Sequence, residues 1–563
     1  MSWKTLSQNR LAPSRLIPSR LALPAALMLV GPAAAQDIQV ESLGPVDPFS
    51  IGVLAQSQGG LPESLWNGTT GALAREAIAR APANSGSPAV NTLIAKALLS
   101  GGEPPEGGDG AVLAMQRMEA LIAAGFAAEA ATLSSRTPDI SERGDLAEAQ
   151  ARGHLLSGDL PAACRTAEIL REGRDAEFWL RLRAVCLASE GETARADLTA
   201  QLARQAGRNE QFERAYALAL LGEAPDENVE TADPLVFATA VQVGAIIAPP
   251  ANAPRAMLVT PLPGAAPEDA ALYQTDAARI GLATPQEAAA AYEAVESPDV
   301  DDELGWLDAA LDAGPGVREA WLYQLALEPA AAPEVRAQAI AASLESADGP
   351  AAFILAARTL APALRLLPPD AGRNDALLFA VASAGAGDAP LARRWRDLAT
   401  QPPTVPVAQD SGAPVPLGVR PPWESPEPAD LAAADALIAL WGESPEAGAS
   451  RLDDEGDPRI RFIDAIVLDA LGKSAEPELR LRLLRGEGGE GERADANVLL
   501  AMEVAAESGA LAETALLAAA AMGQGPATIA PADLSRVVRA LDEAGLGEDA
   551  RNAGLEAMIA ARQ

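Results

Sequence analysis

Few side chains in this 563-residue sequence have the type and spacing that covalent or metal chemistry requires. Cys164 and Cys186 are its two cysteines and His154 is its one histidine. A histidine-based zinc centre or a Ser–His pair would rest on His154 alone. It lies in ARGHLLSG, near a helix end, where a surface or packing role is expected. GEGGEG, Gly486 to Gly491, spells Gly-x-Gly-x-x-Gly, but it follows a helical pattern, and Glu487 and Glu490 would repel phosphate; it reads as a loop. LGKS, Gly472 to Ser474, has the end of a phosphate-binding loop with Val467 where the first Gly is required. QDSGAP, Gln409 to Pro414, has a serine-protease motif with Gln409 in place of Gly and no β-rich pattern around it. The acid clusters SPDVDDELG and LDDEGDP lack EF-hand spacing and read as solvated turns. Two catalytic carboxylates cannot be picked from 78 acids by spacing. No catalytic, metal-binding or cofactor-binding residue is therefore assigned, and no cofactor is expected.

The cysteines point to a covalent tie. They fall within GDLPAACRTAEILREGRDAEFWLRLRAVCLAS, 22 positions apart. If 160–171 and 177–189 are antiparallel helices joined by Glu172 to Ala176, the midpoint Asp175 lies in the turn. Each cysteine then stands about 16 Å from it along its helix, at about 1.5 Å per residue, so the two share one height on neighbouring helices. A structural disulfide Cys164–Cys186 is expected, of about 3 kcal/mol for a loop of this length. It would need an oxidising compartment.

The first 35 residues suggest one. They carry Lys4, Arg10, Arg15 and Arg20 and no acid, followed by the apolar run LALPAALMLVGPAAA. Ala33-x-Ala35 before Gln36 fits cleavage of a Sec-type signal peptide, placing the mature chain in the periplasm or outside the cell. The apolar run is short for a membrane span, and no later stretch is long enough for one. Loss of those four cations moves the formal net charge from −35 to −39. So acidic a surface disfavours nucleic acid and anionic lipid as partners and favours solubility.

The elements that position these residues are helical. The chain is 49% hydrophobic but only 4% aromatic, so alanine dominates: helix propensity is high and apolar area per residue is low. A Gly-x4-Ala pattern follows several amphipathic stretches. It pairs Gly125 with Ala130, Gly158 with Ala163 and Gly191 with Ala196, at a 33-residue interval. Looser copies pair Gly387 with Ala392, Gly442 with Ala447 and Gly545 with Ala550, and Gly509 opens a near match. A helix ending at a positive-φ glycine, a polar turn and a second helix carrying a small residue at the crossing make a helical hairpin. In GDLPAA, Asp159 caps the second helix and Pro161 occupies its first turn. Such hairpins bury their apolar faces only by stacking.

GDLPAACRTAEIL and FWLRLRAVCLASEG, with Trp179 and Leu182 three apart, resemble the second and first helices of the tetratricopeptide repeat (TPR). Arg183 stands where that family prefers Gly and Cys186 where it prefers Tyr, and the closing Pro is absent. The register holds from about 110 to 225. The resemblance implies an all-α, right-handed α-solenoid of TPR-like hairpins and an interaction role; it carries over no ligand-binding residue.

Along the chain the reading is a signal peptide at 1–35, an irregular segment at 36–66, helical repeats at 67–228, an irregular helical middle at 229–400, a Pro-rich loop at 401–428 and helical repeats at 429–563. Leu65 and Trp66 are placed to shield the first repeat from solvent, and AIIAPPANAPRAMLVTPLPGAAPED to hold a short extended piece. The Pro-rich loop, near Trp423, is either a contact site or a disordered insertion. The function expected is a non-catalytic scaffold binding an envelope protein or peptide on a concave face. The alternatives are a helical-repeat hydrolase of envelope glycan, which needs a cleft with two carboxylates and several aromatics, and an acidic spacer without a ligand.

Overall fold

The computed structural model describes residues 46–138, 140–259, 265–401, 425–442, 456–473, 477–485 and 490–563. The signal segment, QDSGAP, Trp423, Ala447, Ser474 and most of GEGGEG lie outside these residues. The described residues are mainly α-helical, and their one named strand pair is short: Val229–Glu230 runs parallel to Ile247–Ala248. That second strand is the extended piece in the interruption after residue 244.

Glycine turns make the hairpins. Helix Gly144–Leu156 ends at Ser157, and Gly158 takes φ +73°. The Gly158 N–H donates to the Leu155 carbonyl and the Asp159 N–H to the His154 carbonyl, paired bonds that satisfy a helix C-terminus around a left-handed glycine. The Asp159 carboxylate then accepts from the Ala162 N–H at 2.9 Å, and Pro161 opens helix Leu160–Ile169. The same pair of backbone bonds and a positive φ occur at Gly125, Gly191, Gly387, Gly509 and Gly545. Five residues beyond their glycines, Ala130, Ala163, Ala196, Ala392 and Ala550 are all 0% exposed. A methyl is what the crossing has room for.

The helices at Gly110–Ala124, Gly144–Leu156, Glu177–Ser189 and Glu210–Leu221 start 33 or 34 residues apart, each of the first three followed by its partner. Helix Thr193–Ala206 buries only Ala196, Ala200 and Ala203, and lies along Glu177–Ser189 on that stripe of methyls. Helix Pro234–Gln242 leaves this series. It packs against Glu210–Leu221 and returns to Gly144–Leu156, burying Val236, Phe237, Ala238, Thr239 and Ala240.

The N-terminal segment is tied down by one cation. Arg117 of helix Gly110–Ala124 is buried under the Phe49 ring and donates to the carbonyls of Phe49 (3.0 Å), Ile51 (2.8 Å), Ser100 (2.9 Å) and Leu98. Burial lowers its pKa to about 9. A guanidinium carries enough donors to satisfy several loop carbonyls at once. Leu65 and Trp66 are buried, and the Leu65 carbonyl accepts from the Ala512 N–H at 2.9 Å.

That bond belongs to a larger contact between the two ends of the unit 46–563. Helix Pro88–Leu99 packs along Leu511–Met522 and Gly547–Ala561. Lys96 pairs with Asp549 at 2.7 Å, and the Thr69 and Ser87 hydroxyls donate to Glu513 and Glu556, each at 2.8 Å. The middle region joins in: the Asn91 amide donates to the Ile280 carbonyl at 2.7 Å, and Arg358 to Asn552 at 2.8 Å. One continuous apolar cluster therefore runs from Phe49 to Ile559, and a second holds the repeats between Ala147 and Ala245.

Ala163→Leu puts extra methylenes into a filled crossing. Urea unfolding is expected to show a loss of about 1–3 kcal/mol, whereas Ala194→Leu on the exposed face of the next hairpin changes stability by less than about 0.5 kcal/mol.

Candidate functional site

The first helices of the repeats do not pack into a solid layer. Between the end of Gly144–Leu156 and the starts of Glu177–Ser189, Glu210–Leu221 and Pro234–Gln242 lies a groove of about 720 Å³. Leu155, Leu156, Leu182 and Phe212, all buried, form its apolar floor. The Phe178 ring is half-buried on the wall, with the exposed Arg152 guanidinium 5.7 Å from its centroid across the groove. Asn84, whose backbone takes φ +56°, Asn209 and Asn252 bring amides to the rim.

The charges at the groove are largely engaged. Arg152 pairs with Glu148 and Arg181 with Glu177, each one turn apart on its own helix. The Asp233 carboxylate caps helix Pro234–Gln242, accepting from the Leu235 and Val236 N–H groups at 2.9 and 3.1 Å. Asn209 does the same for Phe212 at 2.9 Å, accepting through its side-chain carbonyl. The arrangement offers apolar pockets, one aromatic face under a cation and a polar rim. These are parts that hold a side chain and hydrogen-bond a backbone.

Cys164 and Cys186 are joined, S–S 1.99 Å and Cα–Cα 5.6 Å, linking helix Leu160–Ile169 to helix Glu177–Ser189. The tie fixes the helix that carries Glu177, Phe178, Arg181 and Leu182, and so one wall of the groove. The repeat-turn residues Gly158 and Ala163 stand directly before Cys164 on the same hairpin, and a Cβ on Gly158 would lie 3.2 Å from the Val241 side chain. Gly125, Ala130, Gly191 and Ala196 set the neighbouring hairpins; Gly545 and Ala550 lie in the C-terminal one.

His154 is half-buried near the end of its helix, and desolvation lowers its pKa; Asp159 opposes that effect. Lys473 of LGKS is a helix cap. Its ammonium donates to the carbonyls of Ala439, Leu440 and Gly442 at 3.0, 2.9 and 2.6 Å, closing helix Pro428–Ala439. Two acids from the clusters are caps as well: Asp302 accepts from the Gly305 N–H at 2.7 Å and Asp457 from the Arg459 N–H at 2.8 Å; residues 452–455 lie outside the described residues. Among the described residues no group of three or more His, Cys, Asp or Glu side chains could hold a metal ion. No described helix is long and apolar enough to cross a membrane.

Of the groove residues only Leu182 stands out in the sequence, and there as part of a repeat helix rather than of a site. The 33-residue register identifies the first helices, but helix Pro234–Gln242, which closes the groove, falls outside the register.

Removing the disulfide is expected to lower stability by about 3 kcal/mol. In denaturant unfolding, the wild-type chain with reductant should fall to the midpoint of the Cys164→Ser/Cys186→Ser double variant, which itself should not respond to reductant. No protein-family model matches the chain, and neither a curated protein nor a solved structure shows significant similarity to it.

Proposed function

We propose that this protein is an exported, non-catalytic scaffold that binds a segment of another envelope protein in the groove described above. In this reading the hairpins form a right-handed, TPR-like α-solenoid, and the partner is a peptide or a short helix with at least one large apolar side chain. The observation that carries it is the groove itself. Four elements turn apolar floor, aromatic wall and amide rim toward one space of about 720 Å³, room for a few side chains. The fill of the rest of the concave side supports the same reading: helix Pro234–Gln242, apolar and small, already lies between Gly144–Leu156 and Glu210–Leu221. A surface that seats one helix of this chain has the spacing to seat part of another. The Cys164–Cys186 bond and the basic, apolar N-terminal 35 residues support an oxidising compartment reached by a Sec-type signal.

The test is crosslinking in intact cells followed by capture of the tagged chain. One or two envelope proteins should be recovered repeatedly from the wild type. Phe178→Ala and Arg152→Glu should each weaken binding of the recovered partner about tenfold or more, with each variant still folded by circular dichroism. Equal recovery from wild type and both variants would move the binding site elsewhere; no partner above an untagged control would remove the scaffold reading.

A further inference from the structure

Glu556 lies buried on helix Gly547–Ala561, facing the start of helix Pro88–Leu99. Its Oε2 accepts from the Ser87 hydroxyl at 2.8 Å and from the Ala89 N–H at 3.3 Å. Gly525 closes over its Oε1, so near that a Cβ there would sit 3.1 Å away. These donors are neutral. Among the described residues no cation makes an ion pair with Glu556. Arg358, from helix Pro350–Leu366, faces it, but gives its hydrogen bond to Asn552 at 2.8 Å and also lies near Glu548. Lys96, from helix Pro88–Leu99, is held by Asp549 at 2.7 Å, two turns before Glu556 on the same helix. Helix Leu511–Met522 brings an acid, Glu513, bonded to Thr69 at 2.8 Å. A carboxylate in such a place is expensive to ionise. Burial is the main cause that pushes Glu556 up to about 7, against the opposing pull of Ser87, Ala89 and Arg358.

We propose that buried Glu556 acts as a proton-dependent clasp between the two ends of the helical unit, tight while it carries its proton and loosened when the contact must bury its charge. The folded state holds this proton more firmly than the unfolded chain does. The clasp's contribution is therefore complete below about pH 4.5 and is lost as pH rises through about 7. Burial raises the pKa of Asp549 and of Glu513 too, so the other two acids of this contact act in the same direction.

Hydrogen exchange by mass spectrometry on the full chain tests it, from about pH 4 to about pH 8, at low and at high salt, with rates corrected for intrinsic exchange. Segments 85–99 and 547–561 should lose protection by up to about tenfold per pH unit between about pH 4.5 and pH 7 and level off above that, equally at both salt levels, while 160–221 should not. Glu556→Gln should flatten that slope. The proposal is overturned by an unchanged slope in Glu556→Gln, by a wild-type slope near zero, or by a loss spread over the whole chain and abolished by salt. The last would be repulsion among the −35 net charges. Should Glu556→Gln not fold, the wild-type comparison at two salt levels still decides.

Discussion

Helix Pro88–Leu99 is the element on which the rest of this fold leans. It is near the start of the described chain, yet its neighbours are Leu511–Met522 and Gly547–Ala561. Val90, Leu93, Ile94, Ala97 and Leu98 are buried there, and so are Leu516, Leu517 and Met558 from the far end. Each set also packs on helices of its own end, Gly110–Ala124 on one side and Ala496–Glu507 and Pro531–Glu543 on the other. A stack of hairpins ordinarily leaves an exposed face at each end, which capping elements must hide. Here the two ends cover each other. The polar ties across the contact, Lys96–Asp549, Ser87–Glu556 and Thr69–Glu513, fix the register in which they meet.

The composition explains why the contact has to be so specific. With 4% aromatic residues and many alanines in the core, each helix crossing buries little area. Close approach compensates in part, because methyl-sized side chains bring helices near enough for many small dispersion contacts. The remainder comes from a few directed bonds: the disulfide at the groove wall, Arg117 gathering four carbonyls, Lys473 closing a helix with three, and Arg562 gripping the buried Asp464 at 2.9 and 2.7 Å. Each ties one helix to another part of the fold: the disulfide and Lys473 over 22 to 34 residues, Arg562 to Asp464 over 98. The groove inherits its rigidity from the first of these and its fourth wall from helix Pro234–Gln242.

What the sequence makes legible is what is local. The turn at Gly158, the cap at Asp159 and the facing cysteines depend on residues within about one repeat, and spacing arguments reach that far. The contact between the ends is different. Nothing in LIAKALL announces that it packs on AETALLAAA more than 400 residues later, since alanine-rich faces are nearly interchangeable. Glu556 is one acid among 78, and only its depth sets it apart. Arg117 reads as an ordinary surface arginine until the N-terminal segment folds over it. The groove was hidden for a third reason. Its fourth wall breaks the repeat.

The most direct test of the account is to produce residues 46–401 and 425–563 as two separate chains in one cell. If the ends of the unit are each other's cover, the two pieces assemble into a stable one-to-one complex, and Leu93→Asp in the first piece abolishes it. Two pieces that fold and run independently on gel filtration would contradict the claim.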